Sequence, residues 1–172
     1  WIGTNRGVSR YDGSTWQTFT RQDGLSANQV HALFEDSSGH LWFGTERGVS
    51  RYDGSTWQTF RRRHGLSNDS VRAIWQDASG HLWFGTRSGI SRYDGVRFKS
   101  FTEEDAPKDV VHSIFQDREH NVWVTTTNGV YQHKFSTLQT FTVEDGLESM
   151  NVSAVFEDSS GHLWFGGGGA VS

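Results

Sequence analysis

Val30, Ala32 and Phe34 alternate with His31 and Leu33, and this period of two predicts a short strand over 29 to 36. Ser-Ser-Gly follows at 37 to 39. There Asp36 can accept a hydrogen bond from a backbone N–H two residues on, and Gly39 can take the left-handed conformation of a tight hairpin. The segment from His40 to Thr45 is apolar on both alternating faces, as expected of a strand covered on both sides. A turn at Glu46 to Gly48 leads to a third strand at 49 to 53. A Gly-Ser turn follows, and Thr56 to Phe60 makes a fourth strand. The polar stretch from Arg61 to Ser70 carries the chain onward, with no helical period in it or elsewhere.

The whole pattern recurs. Trp1, Trp42, Trp83, Trp123 and Trp164 stand 41, 41, 40 and 41 residues apart. Asp36, Asp77, Asp117 and Asp158 keep the same step, and "RGVSRYDGSTWQTF" at 6 to 19 is repeated letter for letter at 47 to 60. Four short antiparallel strands on a step of this length match the spacing of propeller blades, and a single blade cannot cover both of its faces. The expected fold is therefore all-β: one propeller domain over 1–172, with repeats at about 1–28, 29–69, 70–109, 110–150 and 151–172. The first and last repeats are incomplete and complementary.

Composition sharpens this reading. Only 34% of the residues are hydrophobic, yet there are 8 Trp, 12 Phe and 20 Gly. Burial must come from large rings, each hiding roughly 150–250 Å², worth about 4–6 kcal/mol by area. With no Cys there is neither a disulfide nor a thiolate metal site. The net charge of -4, with basic residues scattered among 20 acids, argues against nucleic acid as a partner. No apolar run is long enough to insert in a membrane, and Trp1 to Gly7 does not read as a signal peptide.

With "EDSSGHLWFGT" at 35–45, "GVSRYDG" at 48–54 and the Gly-Leu of "DGLS" at 23–26 in fixed order, the chain resembles the two-component regulator propeller repeats. The resemblance covers the whole chain. It implies a seven-bladed propeller, an extracytoplasmic sensor region of a hybrid histidine kinase or related regulator, and oligosaccharide-type ligands. Departures exist. His133 and Lys134 stand where Tyr93 and Asp94 stood one repeat earlier, Ala106-Pro107 replaces the Gly-Leu segment, and four glycines at 166–169 suggest a loose C-terminal end. The chain begins at the second strand of a repeat and ends within the third. Strand 152 to 158 is then the natural partner of the three strands at 1 to 20, and two chains sharing blades as a homodimer are expected to close the ring. A four-bladed monomer, a larger assembly and a swapped, non-propeller packing are the alternatives.

Variation among the repeats concentrates on one rim, formed by the connections between repeats and the turns between second and third strands. Loops on a rigid scaffold are where binding resides. Arg47, Arg87, Arg62, His64, Asn28, Asp69 and Asp109 are the candidate ligand-binding residues there. Arg forks and carboxylates can hold sugar hydroxyls or an acidic ligand. The Asp turns and the Tyr-Asp-Gly-Ser turns of the other rim read as scaffold. His40, His81 and His162 fall one per repeat and do not converge on an ion, while His31 and His112 read as satisfied core histidines. No metal, no cofactor and no catalytic set is expected. The sialidase box, Asp-x-Gly-x-x-Trp, is one residue shorter than the box here, and the paired His and Glu of virginiamycin-type lyases have only a loose counterpart. The function expected is a non-enzymatic ligand-binding or protein-interaction propeller. The alternatives are a repeat scaffold from recent blade duplication, with no ligand of its own, and a lyase- or sialidase-like enzyme.

Overall fold

The computed structural model describes residues 1–101, 106–134 and 137–168, and the backbone of 170–171. These residues form eighteen strands in five antiparallel sheets. The first sheet holds β1 (Ile2–Thr4), β2 (Gly7–Tyr11) and β3 (Trp16–Phe19); the second holds β4 (Val30–Glu35), β5 (Leu41–Thr45), β6 (Gly48–Tyr52) and β7 (Trp57–Phe60). The third comprises β8 (Val71–Gln76), β9 (Leu82–Thr86), β10 (Gly89–Tyr93) and β11 (Phe98–Ser100), and the fourth β12 (Val111–Gln116), β13 (Val122–Thr126), β14 (Gly129–Lys134) and β15 (Thr137–Phe141). β16 (Ala154–Glu157), β17 (Leu163–Gly167) and β18 (Ala170–Val171) make the fifth. Within each sheet the strands pair in chain order. β4 lies against β8 and β8 against β12, so the sheets are arrayed as propeller blades with their first strands innermost.

Each repeat reaches this form through its turns. The Asp36 carboxylate accepts from the backbone N–H of Ser38 and of His40, both at 2.9 Å, and from Trp42 Nε1 at 2.7 Å. Burial alone would raise its pKa, but these bonds outweigh it and hold the carboxyl below the usual range. Asp77, Asp117 and Asp158 receive their own Trp Nε1 at 2.8, 2.6 and 2.9 Å. The Asp turn thus fixes where the tryptophan enters the core. At the next turn Asp53 binds the backbone and hydroxyls of Ser55 and Thr56, and Gly54 takes a positive φ of 99°.

A separate buried cluster fills every junction between neighbouring sheets. Val8, Phe19, Leu25 and Phe43 lie between the first and second. Trp42, Val49 and Phe60 meet Leu82, Phe84 and Tyr93 between the second and third. Trp83 and Ile90 meet Val122, Val124 and Tyr131 at the next junction, and Trp123, Val130 and Val152 fill the last. A polar clasp accompanies the rings: the side chain of Gln76 accepts from Ser37 N, Gln116 from Ala78 N and Glu157 from Arg118 N, each reaching back to the Asp turn of the preceding sheet.

Three expectations need correction. Short 3-10 turns occur at Arg21–Asp23, Arg62–His64 and Val143–Asp145, inside stretches expected to lack helix. Of the four glycines expected to form a loose end, Gly166 and Gly167 lie in β17 and pair with the backbone of β18; Gly169 and Ser172 lie outside the described residues. The expected pairing of the strand at 152 to 158 with the first sheet is not formed within the chain. β16 pairs with its own β17, and the first and fifth sheets remain separate, so the chain is an open arc and not a four-bladed ring.

Candidate functional site: the loop rim and the inner bulges

The connections between sheets are built on one recurring loop. Thr20 N donates to Asp23 Oδ2 at 2.8 Å and Thr142 N to Asp145 Oδ2 at 2.9 Å, while in the second repeat Arg61 N donates to His64 Nδ1 at 2.9 Å. His64 therefore does the work of an aspartate. Arg21 N donates to Asn28 Oδ1 at 2.9 Å and Arg62 N to Asp69 Oδ1 at 2.7 Å. Three of the candidate residues thus hold loop backbone, each through one side-chain atom: His64 Nδ1, Asn28 Oδ1 and Asp69 Oδ1.

The guanidinium candidates are freer. Arg47 and Arg87 are exposed on the β5–β6 and β9–β10 turns, and Arg62 is exposed at the start of its 3-10 turn. Arg61 Nε donates to the Arg47 carbonyl at 2.9 Å, which draws Arg47 toward the loop carrying Arg62, His64 and Asp69. Arg87 N donates to the carbonyl of Ser70, the neighbour of Asp69. Asp109 is half-buried; burial first, and then its carboxylate, push the Tyr131 hydroxyl pKa up. Asn28 sits on the preceding connection, apart from these.

The same rim holds a second set. β4, β8 and β12 each carry a bulge, between Val30 and Ala32, Val71 and Ala73, and Val111 and Ser113. The extra residues are His31, Arg72 and His112. Bulges re-aim side chains and recur next to binding sites. Nε2 of His31, Nε of Arg72 and Nε2 of His112 are buried with no hydrogen-bond partner among the described residues. The two histidines are therefore not satisfied as core residues. Burial, and next the Arg72 guanidinium, lower the His31 pKa, with Glu46 opposing. Arg72 is absent from the sequence-derived candidates, although it stands one repeat step after His31. Imidazole nitrogens and an arginine fork suit hydroxyl and carboxylate groups. Among the described residues no group of three or more His, Asp or Glu is placed to hold a metal ion.

Comparison with known proteins agrees with this architecture. A family model described as two component regulator propeller matches residues 24–47, 65–88, 105–128 and 146–169. The chain is similar to the extracellular domain of a hybrid two-component system from B. thetaiotaomicron, at 25% identity and a TM-score of 0.82, over 96% of this chain and 24% of that one. It is also similar to PorZ, a surface component of the type-IX secretion system of Porphyromonas gingivalis, at 20% identity and a TM-score of 0.74, over 98% of this chain and 29% of that one. Virginiamycin B lyase from Staphylococcus aureus aligns at 15% identity with a TM-score of 0.69, over 91% of this chain and 55% of that one; these last two likenesses concern the fold alone. The chain spans about a quarter of the length of the two-component structures it matches. No relative is found among curated proteins.

Proposed function

Because the chain belongs to the two-component regulator propeller family, we propose that it is a segment of a sensor region that binds a ligand on its loop rim without transforming it. The observation that carries this is the row of unpartnered nitrogens at the three inner bulges, since buried donors in native structures find partners and a ligand is one way to supply them. Sugar hydroxyls or a carboxylate match the donor set, and the exposed Arg47, Arg62 and Arg87 extend it. The extracellular setting of the two-component neighbours supports an extracytoplasmic location. No helix among the described residues is long and apolar enough to cross a membrane.

A glycan array followed by thermal shift tests the reading. A carbohydrate that raises the unfolding midpoint is expected to lose at least about tenfold in affinity when Arg72 becomes alanine, and to weaken when Arg47 and Arg87 become alanine. If no glycan, acidic or neutral, stabilises the chain, a scaffold made by blade duplication is the better description.

We propose also that two copies of this chain cover one another's end sheets. Ile2, Tyr11 and Trp16 are 52%, 50% and 58% exposed, although they stand at the positions of Phe84, Tyr93 and Phe98, which meet Trp42 and Phe60 across an internal junction. Trp164, at the other end, occupies the position of Trp42. The two ends are thus complementary halves of the junction used inside the arc. Light scattering is expected to give twice the chain mass, and a monomer at micromolar concentration would remove this part of the proposal.

A further inference from the structure

The rim opposite the loops, formed by the Asp turns, carries a cleft at its sheet junctions. Between the second and third sheets it has a volume of ≈ 260 Å³ and is lined by Asp36, His40, Trp42, Arg51, Gly80 and Tyr93. Between the third and fourth the volume is ≈ 470 Å³, and the same six positions hold Asp77, His81, Trp83, Arg92, His120 and His133. Two replacements, Gly to His120 and Tyr to His133, separate the clefts, and both bring an imidazole to the larger one.

Neither replacement is neutral for the scaffold. His120 has φ 67°, alone among the described non-glycine residues in being positive, where Gly39, Gly80 and Gly161 have 80°, 85° and 86°. A side chain in this left-handed conformation is strained, and such strain collects at functional sites. Tyr93 donates its hydroxyl to the Gly95 carbonyl at 2.8 Å. His133 stands edge-on to Trp83 and Phe101, with ring centroids at 5.3 and 5.6 Å.

Charge follows the same division. In the smaller cleft Arg51 Nη2 bonds His40 Nε2 at 2.8 Å. In the larger one Arg92 lies over the Trp83 ring at 5.7 Å and has no hydrogen-bond partner among the described residues. Asp77 is occupied by Ser79 N, His81 N and Trp83 Nε1, with His81 Nδ1 at 3.5 Å. An adjoining hollow of ≈ 300 Å³ shares Arg92 and adds Arg97, Lys99 and Asp94; Asp94 is taken up by Arg97. Burial first, then Arg92 and, more weakly, Lys99 lower the His133 pKa, against smaller opposing effects of its backbone bond and Asp77. The cleft therefore gathers an arginine fork and three imidazoles, while its one carboxylate, Asp77, is turned to its own hairpin.

We propose that the cleft between the third and fourth sheets binds a tetrahedral oxyanion, a phosphate or sulphate group, through Arg92 and the imidazoles of His81, His120 and His133. A guanidinium fork beside several ring N–H donors matches such an anion. The site lies on the opposite rim from the ligand surface proposed above, so either can fail alone.

Isothermal titration of the full 172-residue chain with inorganic phosphate and inorganic sulphate, at constant ionic strength set by chloride, tests the site. Saturable one-to-one binding is expected. Arg92→Gln and His133→Tyr are expected to weaken it at least about tenfold, the second variant merely restoring the residue of the sibling cleft. His120→Gly is expected to raise the unfolding midpoint without anion while weakening binding several-fold, a combination that a purely structural histidine would not give. Arg51→Gln in the sibling cleft should leave affinity unchanged. Absence of saturable binding, or equal loss in Arg51→Gln and Arg92→Gln, overturns the proposal. Phenyl phosphate and phenyl sulphate distinguish the source: tighter binding than the inorganic ions assigns the group to an ester on a larger ligand, and equal affinity assigns it to the free anion.

Discussion

Replacing Trp42 by alanine is expected to cost about 3–5 kcal/mol of stability, and replacing Trp164 by alanine less than about 1 kcal/mol at protein concentrations low enough to keep the chain monomeric. The two residues hold the same place in their repeats, and each donates its indole N–H to the aspartate of its own turn, at 2.7 Å to Asp36 and 2.9 Å to Asp158. What separates them is the neighbouring sheet. Trp42 is 1% exposed and meets Phe60, Phe84 and Tyr93 at centroid distances of 5.7, 5.4 and 5.7 Å, whereas Trp164 is 47% exposed. The pair therefore isolates burial between blades from the turn hydrogen bond. Urea unfolding followed by far-ultraviolet circular dichroism measures both. Repeat arrays can lose sheets piecemeal, so a broadened Trp42→Ala transition is within expectation. Equal costs for the two variants would mean that the rings are not held by stacking of neighbouring sheets.

The fold was legible because its determinants are local and repeated. An aspartate and a tryptophan at fixed offsets, with a positive-φ glycine between them in all but the fourth sheet, specify the first hairpin of the second to fifth sheets, and a step of 40 or 41 residues places one such hairpin per sheet. The candidate site was less legible. His64 looks like a basic surface residue, and only the bond from Arg61 N shows it replacing Asp23 as a cap. The inner bulges arise from a register shift between two strands, which no single-strand pattern displays. Arg72 therefore carries no mark in the sequence beyond standing one repeat step after His31. The Asp-turn rim read as monotonous scaffold because most of its letters repeat. His133 was visible as a departure, but His120 lies in a different hairpin, and only the packing of the fourth sheet against the third brings the two to one cleft. The ends could not be read from the repeat alone either, since incomplete sheets can complete each other or stay apart.

Gly85→Ala is the second large effect expected, and it probes how closely the blades approach near the axis. A β-carbon at Gly85 would lie 2.4 Å from Val111 Cγ1 and 3.1 Å from Ala73 Cβ. Val111 is fully buried in β12, the innermost strand of the next sheet, so it has no room to retreat without moving that strand. Overpacking of this kind costs roughly 1–3 kcal/mol, and a valine at 85 should cost more. At Gly166, the corresponding position of the last sheet, an added β-carbon meets nothing within 4 Å, and Gly166→Ala is expected to be neutral or slightly stabilising. In the fourth sheet Thr125 stands in place of this glycine, and the next inner strand is β16, which starts at Ala154. Unfolding midpoints of Gly85→Ala and Gly166→Ala, measured side by side, decide the point. If Gly85→Ala is as stable as the parent chain, the inner strands are not in the close contact described, and the bulges that carry His31, Arg72 and His112 lose the rigid frame on which the loop-rim site depends.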